Sequence, residues 1–179
     1  SKNLALARIE KIGEVFMSNI FIANSIVTAT EYTSSLLHVG NIESNVVVTR
    51  LNVTGIQVNA IVYLAILFQK IDGKVVMTDT SFTRMNVTCS KICSSSLSVV
   101  DVKESSFVSN LYLSHNHVAS VTYATHVMFY KASNEIKHLT IANCTANTSG
   151  RLASQFYMYD FGNSSIYNAT VEYNTATRD

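Results

Sequence analysis

Six asparagines stand in the pattern Asn-x-Ser/Thr: Asn52, Asn86, Asn143, Asn147, Asn163 and Asn168. That tripeptide accepts N-linked glycans, so where it is used it marks solvent-facing backbone in a secreted chain. The chain holds 16 Asn and 39 Ser plus Thr in 179 residues, and this composition alone would supply about three or four such tripeptides. Position therefore carries more weight than number. Asn52, Asn86 and Asn147 fall in a polar stretch that follows a strand-like segment, and Asn163 falls on a turn. The competing reading makes these residues ordinary turn formers or an internal amide ladder.

The other reactive side chains form sparser patterns. Cys89 and Cys93 lie four apart and could bridge in an oxidising compartment, which would leave Cys144 as a buried thiol and not a nucleophile. His115 and His117 are two apart on one strand face, but no third ligand is nearby, and a zinc site needs a second cluster. Glycan cleavage needs an acid and a base flanking one bond. Asp72, Asp79, Asp101 and Asp160 fall in different columns of the pattern described below, and only Glu104 with Glu135 would pair. Tyr112, Tyr123, Phe129, Tyr130, Phe156, Tyr157 and Tyr159 could stack on sugar rings or pack as core columns. No catalytic, cofactor or metal residue is assigned, and N-linked glycans are the only non-protein groups expected.

Composition limits what can position these groups. Lys plus Arg is 13 and Asp plus Glu is 12, for a net charge of +1. That gives no positive field for nucleic acid or an anionic membrane surface. With 47% hydrophobic residues the chain can fold. Its longest apolar run, Ala60 to Phe68, is about half the length needed to span a bilayer. The first residues show no signal-peptide pattern, so the chain reads as a mature or excised segment. Proline and Trp are both 0. Abundant Ser, Thr, Asn and β-branched residues disfavour helix, and alternating apolar positions favour strands.

Sliding the chain against itself reveals a repeat at an offset near 31. Leu51, Phe82, Leu113 and Cys144 form one column, Val46, Met77, Val108 and Leu139 a second, and Thr49, Thr80, Leu111 and Ala142 a third. The coils read as 13–40, 41–72, 73–103, 104–133 and 134–162, with a partial coil over 163–179. The whole of 1–179 is then one solenoid domain, expected to be open at both ends. About five coils of about 30 residues, each with short strands and polar corners, suit an all-β parallel β-helix. The alternative is an antiparallel β-sandwich. If coils stack in register, Lys70 meets Asp101, Asp72 meets Lys103 and Glu43 meets Lys74, with Glu104 beside Glu135 as the one like-charge pair.

A strand followed by a corner ending in Asn recurs in Phe21–Asn24, Leu113–Asn116, Cys144–Asn147 and Val171–Asn174. These corners resemble those of pectin-lyase-like right-handed parallel β-helix proteins, above all the Asn/Ser/Thr-rich repeat proteins of protist surfaces. The resemblance implies a right-handed β-helical scaffold at the cell surface or outside the cell. Polysaccharide lyases and hydrolases share that fold, so fold alone does not assign activity. The reading is a non-enzymatic, secreted structural glycoprotein whose copies stack head to tail into a filament or coat. The alternatives are a carbohydrate-binding or adhesive module that engages other surface glycans and, behind it, a polysaccharide-cleaving enzyme.

Overall fold

The computed structural model describes residues 3–159 and 162–178. Strand accounts for 79% of it and helix for none. The strands are β1 (Asn3–Glu10), β2 (Val15–Ala23), β3 (Ile26–Ile42), β4 (Val46–Thr54), β5 (Gln57–Ile71), β6 (Val75–Thr83), β7 (Asn86–Val102), β8 (Ser106–Ser114), β9 (His117–Ser120), β10 (Tyr123–Tyr130), β11 (Asn134–Ala142), β12 (Thr145–Thr148), β13 (Leu152–Tyr159), β14 (Ser164–Glu172) and β15 (Thr175–Arg178). Every pairing among them is parallel. The chain is thus a parallel β-solenoid of about 6 turns, and the antiparallel sandwich is overturned.

Each coil has three faces. The first is a six-stranded sheet ordered β2-β4-β6-β8-β11-β14. The second comprises the leading parts of β3, β5 and β7, continued by β9, β12 and β15. The third comprises β1, the trailing parts of β3, β5 and β7, and then β10 and β13. Strands β3, β5 and β7 turn from the second face to the third without breaking, through register shifts such as those at Ala60/Val62 and Leu64/Ile66.

The other bends use left-handed backbone. Among the described residues, all 17 with positive φ fall into three stacks, counting the 16 non-glycine residues and Gly55. One runs Lys11, Asn41, Lys70, Asp101, Lys131, a second Asn19, Arg50, Asp79, Asn110, His138, Asn168, and a third Asn24, Gly55, Arg84, His115, Asn143, Tyr173. None is β-branched, as expected, because Val, Ile and Thr are the costliest side chains in that region. At Gly55 a Cβ would meet Asn24 Oδ1 at 2.7 Å, so a side chain there would have to displace the Asn24 amide as well as adopt left-handed backbone.

The core lies inside the stacked coils. Ile22, Val53, Phe82, Leu113, Ile141 and Val171 form one true inward column, fully buried from Val53 to Ile141. Burying each such side chain contributes about 1.5–3 kcal/mol. No Lys, Arg, Asp or Glu among the described residues is buried.

The register corrects the uniform offset of 31. Equivalent first-face residues are Val15 and Val46, Val46 and Val75, Met77 and Val108, Ser106 and Asn134, and Asn134 and Ser164. Phe82 therefore stacks on Val53 and not on Leu51, and Leu113 stacks on Ile141 and not on Cys144. Val46 aligns with Val75 in place of Met77, and Val108 with Ile136 in place of Leu139. Thr49 aligns with Thr78, and Leu111 with Leu139. The steps from Met77 to Val108 and from Thr80 to Leu111 hold. By the same register the coil expected to start at Asn41 starts three residues later.

Among the charge pairs, Lys103 Nζ lies 2.9 Å from Asp72. Lys70 and Asp101 occupy successive places in one left-handed stack. Lys74 pairs with Glu104 at 3.9 Å and not with Glu43, because the coil between them is shorter than 31 residues. Glu135 lies beside Phe107 and bonds Lys137 at 2.8 Å, which removes the supposed clash with Glu104.

Candidate functional site

The most distinctive surface is the outer side of the third face. In-register pairing places Ile92, Tyr123 and Leu152 in one row, Met128 and Tyr157 in another, and Val100, Tyr130 and Tyr159 in a third. All of these except Val100, together with Thr125, line a groove of about 410 Å³ that contains no charged residue. A neighbouring hollow of about 340 Å³ shares Ile92, Met128 and Tyr130 and extends across β7 and β5 to Val62 and Thr33. The groove therefore runs along the solenoid axis over several coils.

Its tyrosines touch one another. Tyr130 and Tyr159 stack with centroids 5.6 Å apart and planes 5° from parallel. Tyr157 and Tyr159 lie 6.4 Å apart, also at 5°, and Tyr123 tilts against Tyr157 at 6.4 Å. Partial burial and the neighbouring Tyr123, Tyr159 and Tyr130 hold the Tyr157 phenol above its ordinary pKa. Cations flank the row: Arg151 Nη1 donates to Tyr123 Oη at 3.4 Å, and Lys131 Nζ sits 5.5 Å from the Tyr130 ring centre.

Only part of the expected aromatic set gathers here. Phe129 and Phe156 point inward and pack together at 5.6 Å, and Tyr112 lies on the first face. Tyr123 and Tyr130 are seven residues apart, an odd spacing that a regular strand would send to opposite faces. They share one because alternation breaks between them, where Ala124, Thr125, His126 and Val127 are buried in succession.

Inside the same face lies a polar pocket of side chains. Ser94, Ser95, Ser96, Ser98 and His126 are all fully buried. Ser95 Oγ is 2.5 Å from His126 Nδ1, and Ser94 Oγ donates to the His126 carbonyl at 3.1 Å. Desolvation pushes His126 down to about 4. The pair is fully enclosed and fills the interior beside the bulge.

The six sequons take varied positions. Asn143 occupies an exposed left-handed corner, and Asn168 an exposed left-handed bend within β14. Asn52 lies on β4, where its Oδ1 accepts from Ser81 Oγ at 2.7 Å, and Asn86 opens β7; both are exposed strand positions and not corner residues. Asn147 is likewise on a strand, half-buried on β12 and accepting from Thr177 Oγ1 at 2.6 Å. Asn163 is exposed on the turn before β14. No sequon lies on the strands of the third face.

The recurring Asn corners separate in three dimensions. Asn24 is left-handed, whereas Asn116 and Asn174 follow the left-handed residue and Asn147 sits in β12. Asn116 accepts from Met85 N and donates to Phe82 O, both at 3.0 Å, and Asn174 does the same to Cys144 N and Ile141 O at 2.7 Å. These two are internal amide clamps between coils.

Cys89 and Cys93 are joined by a disulfide across the bend in β7, with Cα atoms 5.8 Å apart. Cys144 is a buried free thiol, raised in pKa by burial. It sits at a corner beside Asn116 and Asn174, not in the Leu113 column. His115 is a left-handed corner residue bonded to Ser114 Oγ at 2.6 Å, and His117 is on β9. The corner breaks strand alternation, so the two do not share a strand face.

Glu43, Asp72 and Asp101 line one cleft of about 350 Å³ together with Lys70 and Lys103, although the acids read as scattered in sequence. Asp79 accepts from Asn110 Nδ2 at 2.7 Å on another bend, and Asp160 lies outside the described residues. No metal-holding cluster of His, Cys, Asp and Glu occurs among the described residues, and no helix there is long and apolar enough to cross a membrane. No family model matches the chain, and neither the curated proteins nor the solved structures include a significant match.

Proposed function

We propose that this chain is part of a non-enzymatic, extracellular structural β-solenoid, glycosylated on two faces and bare on the third. One observation carries the reading: five of the six sequons are exposed, and all six lie off the tyrosine-lined face. Sugars there would solubilise and shield the rod without covering its groove. The disulfide across the β7 bend fits an oxidising compartment. Kinship with the pectin-lyase-like right-handed β-helix proteins of protist surfaces belongs to the same proposal, supported by the parallel coil and the Asn at its corners. Copies stacked head to tail into a filament or coat would continue the parallel, in-register pairing that already joins coil to coil. The non-enzymatic reading draws on the polar cleft, where Lys103 engages Asp72 and Lys70 follows beside Asp101.

The test is expression through a eukaryotic secretory pathway with glycosite mapping and electron microscopy of the unconcentrated product. Occupancy at Asn52, Asn86, Asn143 and Asn168 with fibres in the field supports the reading. A secreted chain with every sequon unmodified overturns it. A second reading, a carbohydrate-binding or adhesive module, is favoured by the groove over Ile92, Met128 and Tyr157. Binding to neutral polysaccharides that is lost in Tyr157→Ala and kept in Tyr112→Ala would place it first.

A further inference from the structure

We propose that Tyr130 and Tyr159 form an oxidative cross-linking site that can tie two successive coils together through a carbon–carbon bond. The two residues are direct partners in the β10–β13 ladder, so the backbone fixes their rings against each other in register. The rings are nearly parallel at 5.6 Å, and Tyr159 is 55% exposed and open to an oxidant. Tyr157 and Tyr123 continue the row at 6.4 Å per step, so a radical formed on any of the four has a neighbouring ring to pass to. Tyr112 and Tyr173 are exposed too, but neither belongs to a ring pair among the described residues. The only free thiol, Cys144, is buried and does not compete as a surface reductant.

The oxidant is hydrogen peroxide acting through a haem peroxidase. Each phenol loses one electron and its hydroxyl proton, which leaves two phenoxyl radicals with spin density on the ortho carbons. One ortho carbon of each ring joins the other, and the two ring hydrogens displaced at those carbons move to the oxygens and restore both phenols. In sum, two tyrosines and one peroxide give one dityrosine and two waters. Coupling of free radicals in solution is a bimolecular encounter. Rings held side by side by adjacent strands about 4.8 Å apart make it a unimolecular one.

The experiment treats dilute protein with a haem peroxidase and hydrogen peroxide, then reads dityrosine fluorescence, intact mass and cross-linked peptides. The expected product is a monomer lighter by two hydrogens, with residues 130 and 159 in one linked peptide pair. Tyr159→Phe keeps the stacked ring but cannot form a phenoxyl radical, and should lower the intramolecular yield about tenfold or more. Tyr112→Phe should leave the yield unchanged. Undiminished fluorescence in Tyr159→Phe, links found only between molecules, or a monomer mass without hydrogen loss would each overturn the proposal. Matching thermal transitions of the two variants keep a folding defect out of the comparison.

Discussion

The first and third faces belong to the same coils and stack through the same parallel ladders, yet they are filled differently. The first face carries aliphatic and aromatic inward columns, such as Val53, Phe82, Leu113 and Ile141, and its strands pair without a bulge. The third face buries Ser94, Ser95, Ser96, Ser98 and His126, shifts register at Thr125/Val127, and turns four tyrosines outward. A column of matched apolar side chains needs nothing else to be stable. A bulge leaves two inward residues opposite one, and here short hydroxyls and an imidazole fill the mismatch by bonding one another and the backbone. Irregularity thus built the groove, because the buried run from Ala124 to Val127 that brings His126 inside also leaves Tyr123 on the side of Tyr130.

Three measurements would sharpen or break that contrast. The largest effect belongs to the apolar face. Phe82→Ala should cost about 3–5 kcal/mol in urea unfolding, since Phe82 is fully enclosed between Val53 and Leu113. A loss below about 1 kcal/mol would mean the column is not a tight core.

The next effect belongs to the polar interior and depends on pH. Folding holds His126 near 4, below its usual value of 6.5, so the unfolded chain takes up a proton first. The stabilisation is intact above pH 6.5 and drains away as pH falls towards 4, by about 3 kcal/mol in all. His126→Gln should flatten most of this slope. It should leave the part from His38, which desolvation also lowers against the pull of Glu10. An unchanged slope in His126→Gln would show that the imidazole is hydrated.

The smallest effect concerns the corners, which both faces share. Lys70→Asn should stabilise by about 0.5 kcal/mol, because Asn tolerates left-handed backbone better than Lys. A loss of stability in a thermal melt would point to a role for Lys70 beside Asp101 in the polar cleft.

Much of this architecture could be read from the residues. The absence of Pro, the wealth of Ser, Thr and Val, and a repeat near 30 led to stacked parallel coils, and the Asp72–Lys103 pair followed from that offset. The columns themselves were partly misassigned for a definite reason. A slip of two residues keeps a side chain on its own face, so Val75 and Met77 are equally good apolar partners for Val46. The left-handed stacks did leave a trace, since Asn, Asp, Lys, Arg and His recur there and β-branched residues never do. The groove left none: four of the seven aromatics named from sequence line it, but strict alternation along the strand would separate Tyr123 from Tyr130.

What the sequence determined by itself was everything local or additive: strand over helix, coil length to within a few residues, the tripeptides that could carry sugar, and the cysteines near enough to bridge. Which residues meet across coils was decided only in the folded chain. Coil lengths vary, so register is chosen by the packing of all columns at once, and a break in alternation within a strand changes the parity of every residue beyond it. The stacked tyrosines and the buried Ser95–His126 contact both follow from that choice.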